Sequence, residues 1–235
     1  MKTPSPHTSS KGFSLVELLV VFTILTILAA LSFAAFRNVQ ASGRAAACAS
    51  NLHGIGAAFS LYAADNGGVI PAMRYRADLG GENPTGKNWQ FEINPYLEVN
   101  GSSFKTISTG AGGGKQIFCP EYLTDYKDDK EAQKFVSGGY GMNVNLGGSK
   151  SAWDFRNYLA TIPAPSNTIL VGDSDDYHLN IATGTWPAKP TPDTRFVSGD
   201  PIRHGKNANY LFVDGHIASL AQKEAEASLS KVQTN

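Results

Sequence analysis

The stretch from Phe13 to Phe36 constrains this chain most: it is largely apolar and carries a single charge, Glu17. As a helix rising about 1.5 Å per residue it would reach about 36 Å, enough to cross a bilayer. A charge at the centre of such a span costs about 2.5–3.5 kcal/mol on insertion scales, so an acid near one end calls for a reason. Two ordinary architectures share the general pattern. A secretory signal peptide has a basic start, here Lys2 and Lys11, then an apolar run and small residues such as Ala29-Ala30 or Ala34-Ala35. A plain single-span anchor needs only the length. Neither accounts for Gly12 directly before Phe13, nor for Glu17 inside the run.

Cleavage after Gly12 would expose a cationic α-amino group at Phe13. In a stack of parallel helices, Glu17 of one subunit would neutralise that cation on its neighbour. A buried charge is tolerated when paired and costly when left alone. The series Gly12-Phe13-Ser14-Leu15-Val16-Glu17-Leu18-Leu19 resembles the processing site of type IV prepilins and type II secretion pseudopilins. The resemblance implies that a membrane-embedded prepilin peptidase cuts after Gly12, that Phe13 is then N-methylated, and that Glu17 serves assembly.

Beyond the apolar run, Cys48, Leu52, Ile55, Phe59 and Tyr62 recur at the spacing of an amphipathic helix. Asn66-Gly67-Gly68 is a stop signal with Pro71 close behind. One helix is therefore expected from Phe13 to about Ala64, with Gly43, Gly54 and Gly56 marking bends or close packing. The organisation expected is a polar leader at 1–12, a membrane or assembly half-helix at 13–36, an amphipathic half at 37–64 and a globular domain at 65–235. With leader and span removed, about 200 residues remain, enough for one domain with a core. The 20 basic and 20 acidic side chains balance, which argues against nucleic acid as a main partner.

The second half of the chain reads as β-structure. Gly139 to Leu146 alternates like a strand, and Thr168 to Asp173 looks like a buried one. Asn209 to Val213 and His216 to Leu220 flank Asp214-Gly215, a composition favoured in two-residue hairpin turns. From Ala221 the tail is rich in Lys, Glu and Ala, as a short helix or loose end. The fold class expected is α+β: a long N-terminal hydrophobic helix, transmembrane then amphipathic, packed on a globular domain with an antiparallel β-sheet. That two-part helix is also the architecture of pilins.

His204 stands nine residues before Asp214-Gly215. The stretch from Arg203 to His216 resembles the C-terminal signature of a bacterial pilin-like group named for its H-X9-DG spacing. Asn51-Leu52, Phe118-Cys119-Pro120 and Gly139-Tyr140-Gly141-Met142-Asn143 match more loosely. One reading makes Asp214-Gly215 the hairpin turn and His204 a strut bonded to a neighbouring loop. The other gathers Asp173, Asp175, Asp176, His204, Asp214 and His216 around a metal. Carboxylates would suit calcium, as in the C-terminal loop of some pseudopilins, and histidines a softer ion such as zinc. Asp173-Ser174-Asp175-Asp176 is not an EF-hand loop, because Tyr177 takes the fifth position and no Gly follows.

Cys48 and Cys119 either bridge, closing a loop of about 70 residues worth about 4 kcal/mol in the chain-entropy model, or stay small buried thiols. The resemblance implies the bridge, since relatives often carry a Cys near the end of the long helix and a Phe-Cys-Pro segment. No enzyme is visible: the sequence has neither a Gly-x-Ser-x-Gly elbow nor His-Glu-x-x-His, and His53 and His178 stand alone. Gly110 to Lys115 fails as a phosphate loop, with Thr109 and Gln116 where Gly and Ser or Thr are needed.

The function expected is that of a structural subunit, a pseudopilin or minor pilin-like protein of a secretion or pilus-like filament. Its implied partners are prepilin peptidase, sibling pseudopilins, an inner-membrane platform protein, an assembly ATPase and the lipid bilayer. Its implied place is the bacterial inner membrane, leader cytoplasmic and globular domain periplasmic. The alternative is a membrane-tethered binding module that never polymerises, with Trp89, Trp153 and Trp186 as stacking surfaces for a polysaccharide or protein.

Overall fold

The computed structural model describes residues 13–73, 88–98, 102–103, 115–125, 138–147, 157–179, 199 and 202–229. Two compact units divide between Ala41 and Ser42, and the first helix, α1 (Leu15–Asp65), begins in one and ends in the other. In the first unit the apolar side chains from Leu15 to Val39 that the structure describes, Leu18, Phe22, Leu25 and Phe33 among them, are exposed. The helix is long and apolar enough to cross a membrane. Three hydroxyls of its apolar part are satisfied within the helix: Thr23, Thr26 and Ser32 donate to the carbonyls of Val20, Thr23 and Leu28 at 2.7–2.8 Å. None of the three then needs water, as an apolar surrounding demands.

In the second unit α1 buries the stripe that its spacing predicts: Cys48, Leu52, Ile55, Phe59 and Tyr62. Each large apolar side chain so buried contributes about 1.5–3 kcal/mol. Gly56 permits close packing, since a Cβ there would stand 3.0 Å from Leu211 Cδ1, whereas Gly43 and Gly54 face open space. The helix stops at Asn66-Gly67-Gly68, where the Gly68 N–H returns to the Ala63 carbonyl at 2.7 Å. Next comes α2 (Trp89–Glu98), capped by the Asn88 side chain, which accepts from the Gln90 N–H at 3.1 Å. Trp89 is core, its Nε1–H donating to the Tyr177 carbonyl at 2.8 Å and its ring 5.5 Å from that of Phe59. It offers no stacking surface. Trp153, Trp186, the leader Met1 to Gly12 and the Gly110 to Gly114 run lie outside the described residues.

Two short strands, β1 (Ser102–Ser103) and β2 (Lys115–Gln116), pair in parallel, and α3 (Pro120–Asp125) follows with Pro120 at its first position. The main sheet holds β3 (Tyr140–Asn143), β4 (Ile169–Asp173), β5 (His178–Leu179), β6 (Asn207–Phe212) and β7 (Ile217–Ala221) in the order β5-β3-β4-β6-β7. It is mixed rather than antiparallel throughout, because β5 runs parallel to β3. The link from Ser174 to Tyr177 crosses the start of β3, with the Ser174 N–H on the Gly139 carbonyl at 3.0 Å and the Met142 N–H on the Tyr177 carbonyl at 2.9 Å. Gly141 makes this crossing possible: a Cβ there would lie 2.2 Å from the His178 carbonyl oxygen.

The strand expected to run to Leu146 ends at Asn143. Its side-chain oxygen accepts from the Asn145 N–H at 3.0 Å and turns the chain into α4 (Val144–Gly147). One face of the sheet, with Met142, Val171 and Leu211, joins the core of α1. The other, with Ile169, Tyr210 and Phe212, buries Ala225 and Leu229 of α5 (Gln222–Leu229), the helical form of the charged tail. Tyr210 and Leu211 thus point to opposite faces, as the strand period requires.

Candidate functional site

The start of α1 carries one half of a capping box. The Ser14 N–H donates to Glu17 Oε2 at 2.8 Å, and the Leu18 N–H closes the first turn on the Ser14 carbonyl at 3.2 Å. A carboxylate there also meets the positive end of the helix dipole. Glu17 and Phe13 are both exposed. Gly12, expected from the sequence to precede the cleaved bond, lies outside the described residues.

In the second unit the three loosely matching segments meet at one point. Asn51 Nδ2 donates to the Phe118 carbonyl at 2.8 Å and to the Tyr140 hydroxyl oxygen at 3.1 Å. That hydroxyl in turn donates to the Cys48 carbonyl at 3.3 Å. Burial, with the Asp173 charge adding to it, pushes the Tyr140 phenol above its ordinary value, against the weaker pull of Asn51 and Arg203. The hydroxyl therefore stays a neutral donor. Cys48 and Cys119 form a disulfide, both thoroughly buried. Arg44 pairs with Glu121 beside it.

The H-X9-DG stretch contributes the other side of this node. His204 Nε2 is 3.1 Å from Asp173 Oδ2 and 3.8 Å from Cys119 Sγ. Asp173 Oδ2 also accepts from the Asn209 N–H at 2.7 Å. Arg203 is wholly buried, donates to the Gly139 carbonyl at 2.5 Å, pairs with Asp175, and lies over the Tyr122 ring at 5.1 Å. Two carboxylates, a guanidinium and an imidazole are thus packed together out of water, where charge survives only through pairing.

The six residues expected to gather around a metal do not converge. Asp173, Asp175 and His204 meet around Arg203, whereas Asp176 holds His178 Nδ1 at 2.8 Å. Asp214 and His216 sit at the tip of the β6–β7 hairpin, bonded to each other at 2.6 Å. Burial raises the Asp214 carboxyl, but the His216 N–H and ring outweigh it and hold it below the usual carboxylate range. His204 is indeed a strut, although its main partner is a strand-end carboxylate rather than a loop.

The turn also differs from expectation. The loop is three residues, Val213 to Gly215, closed by Gly215 N–H to the Phe212 carbonyl and Phe212 N–H to the His216 carbonyl, each 2.9 Å. A two-residue type I′ turn needs positive φ at both centres, and here Gly215 alone has it, at 91°. The role of Arg203 is not evident from the sequence, where it is only the first residue of the motif stretch. A cation directly before the motif histidine was the available signal.

An exposed apolar helix, opened by a carboxylate in its first turn, continues into an α+β unit. Residues 7–33 match the prokaryotic N-terminal methylation motif, which implies processing by a prepilin peptidase. No curated protein and no solved structure matches the chain.

Proposed function

We propose that the chain is a structural subunit, a pseudopilin or minor pilin-like protein, of a type II secretion or type IV pilus-like filament, and not an enzyme. Prepilin peptidase removes Met1 to Gly12, and Phe13 becomes the N-methylated terminus in a single-pass protein of the bacterial inner membrane. The globular unit then faces the periplasm, and sibling subunits, a platform protein and an assembly ATPase are its partners. The observation that carries this reading is the methylation motif overlapping a helix whose described apolar side chains from Leu15 to Val39 are exposed in the monomer. Such a surface is stable only against lipid or other apolar helices. Glu17 then pairs with the Phe13 ammonium of an adjacent subunit.

Intact mass and N-terminal sequencing of the protein from its native membrane tests the processing: a start at Phe13 with one added methyl is expected. Glu17→Val should abolish filament incorporation while leaving cleavage and the disulfide in place. A start near Ala35, or normal assembly of Glu17→Val, would overturn the proposal.

A further inference from the structure

The disulfide has unusual neighbours. Cys48 Sγ, Cys119 Sγ, a carboxylate oxygen of Asp173 and a ring nitrogen of His204 all lie within 4.8 Å of one another. Both cysteines and Asp173 are fully buried, and the His204 side chain is 5 % exposed. A disulfide needs neither an imidazole nor a carboxylate beside it, and apolar side chains would fill the space at lower desolvation cost. Asp173 Oδ1 and, on the ring edge away from Nε2, His204 Nδ1 are also buried with no hydrogen-bond partner among the described residues, so the protein does not fully satisfy this polar group.

Two sulfurs, one nitrogen and one oxygen are the donor set of a thiophilic divalent cation. Zinc binds sulfur at about 2.3 Å and nitrogen or oxygen at about 2.0–2.2 Å, which gives tetrahedral edges of about 3.3–3.8 Å. The His204–Asp173 and His204–Cys119 separations of 3.1 and 3.8 Å are close to such edges. We propose that in the dithiol state Cys48, Cys119, Asp173 and His204 form a tetrahedral zinc site, and that cation and disulfide are alternative occupants of one pocket.

The chemistry balances. The dithiol takes up the dication and releases two protons, leaving two thiolates, the carboxylate and a neutral imidazole as ligands. Oxidation by a protein or small-molecule disulfide forms the Cys48–Cys119 bond, gives two electrons and, with two protons, turns the oxidant into two thiols while the dication leaves. A dithiol reductant runs the exchange backwards. Ligands carrying three negative charges around a dication leave one in excess, and Arg203, shared between Asp175 and Asp173 with Nη1 4.0 Å from Asp173 Oδ1, screens part of it. In either state the same residues tie α1 to β4 and to the segment before α3, so a chain not yet oxidised keeps its fold.

The test uses the full chain in detergent, reduced with a phosphine under anaerobic conditions and titrated with cobalt(II). One equivalent should produce the intense visible bands of tetrahedral cobalt with sulfur-to-cobalt charge transfer, zinc should abolish them, and the oxidised chain should show none. His204→Ala and Asp173→Asn should weaken cobalt binding about tenfold or more relative to the reduced wild type. Because these variants remove core contacts, the thermal midpoint of the reduced wild type is the second readout: zinc should raise it, and leave that of the oxidised chain unchanged. An octahedral spectrum, equal binding by the oxidised chain, or a reduced chain whose midpoint ignores zinc would overturn the proposal.

Discussion

Arg203→Met isolates the buried charge cluster. The guanidinium is fully buried, paired with Asp175, bonded to the Gly139 carbonyl at 2.5 Å and close to Asp173. Methionine fills much of the same volume but leaves two carboxylates without their cation. Removing one partner of a buried pair costs about 3–5 kcal/mol, mostly from the charge left behind. For a unit of this size each kcal/mol corresponds to about 2–4 °C, so the midpoint should fall by about 6–20 °C. The double change Arg203→Met/Asp175→Leu removes the anion as well and should recover part of the loss, with a coupling of about 1–3 kcal/mol. Thermal and urea unfolding of the full chain in detergent, followed by tryptophan fluorescence, read the midpoint and the free energies. A loss under about 1 kcal/mol for the single variant, or strict additivity in the double, would refute the claim that pairing holds this cluster together.

Three further outcomes are expected. Replacing both Cys48 and Cys119 by Ser should cost up to about 4 kcal/mol, since the bridge spans a separation of 71 residues, and a denaturant midpoint unchanged under oxidising conditions would contradict this. Gly141→Ala should detach β5 and destabilise the unit, because its Cβ meets backbone, whereas Gly43→Ala on an open helix face should gain up to about 1 kcal/mol; equal melting shifts would sink the distinction. Because the folded Asp214 carboxyl titrates below its unfolded value, its stabilisation is complete above the unfolded value and is lost as pH falls through the folded one. A carbon-13 titration should show that lowered midpoint, and Asp214→Asn should remove this part of the acid limb.

The helical stripe from Cys48 to Tyr62 was legible because a helix repeats its face every three or four residues, and each buried position declares itself locally. The methylation motif was legible for the same reason, being contiguous. The parallel strand β5 was not: two residues, His178 and Leu179, carry no period, and their pairing depends on Gly141 far earlier in the chain. Nor was the node around Arg203. Its partners Gly139, Asp175 and Tyr122 lie in the turn before β3, the link after β4 and α3, and only the folded sheet brings them together. The hairpin failed by one residue, because composition marks a turn while backbone φ decides its type.

The bond between Cys48 and Cys119 also fixes a load path. Tension entering the globular unit along α1 from Ser42 reaches Cys48 before Leu52, Ile55, Phe59 or Tyr62. There it divides, and the covalent branch carries part of it to the segment ahead of α3. The apolar stripe beyond is shielded from the leading edge of the pull, so the helix cannot be peeled away turn by turn. The joint is a riveted seam between α1 and the segment ahead of α3.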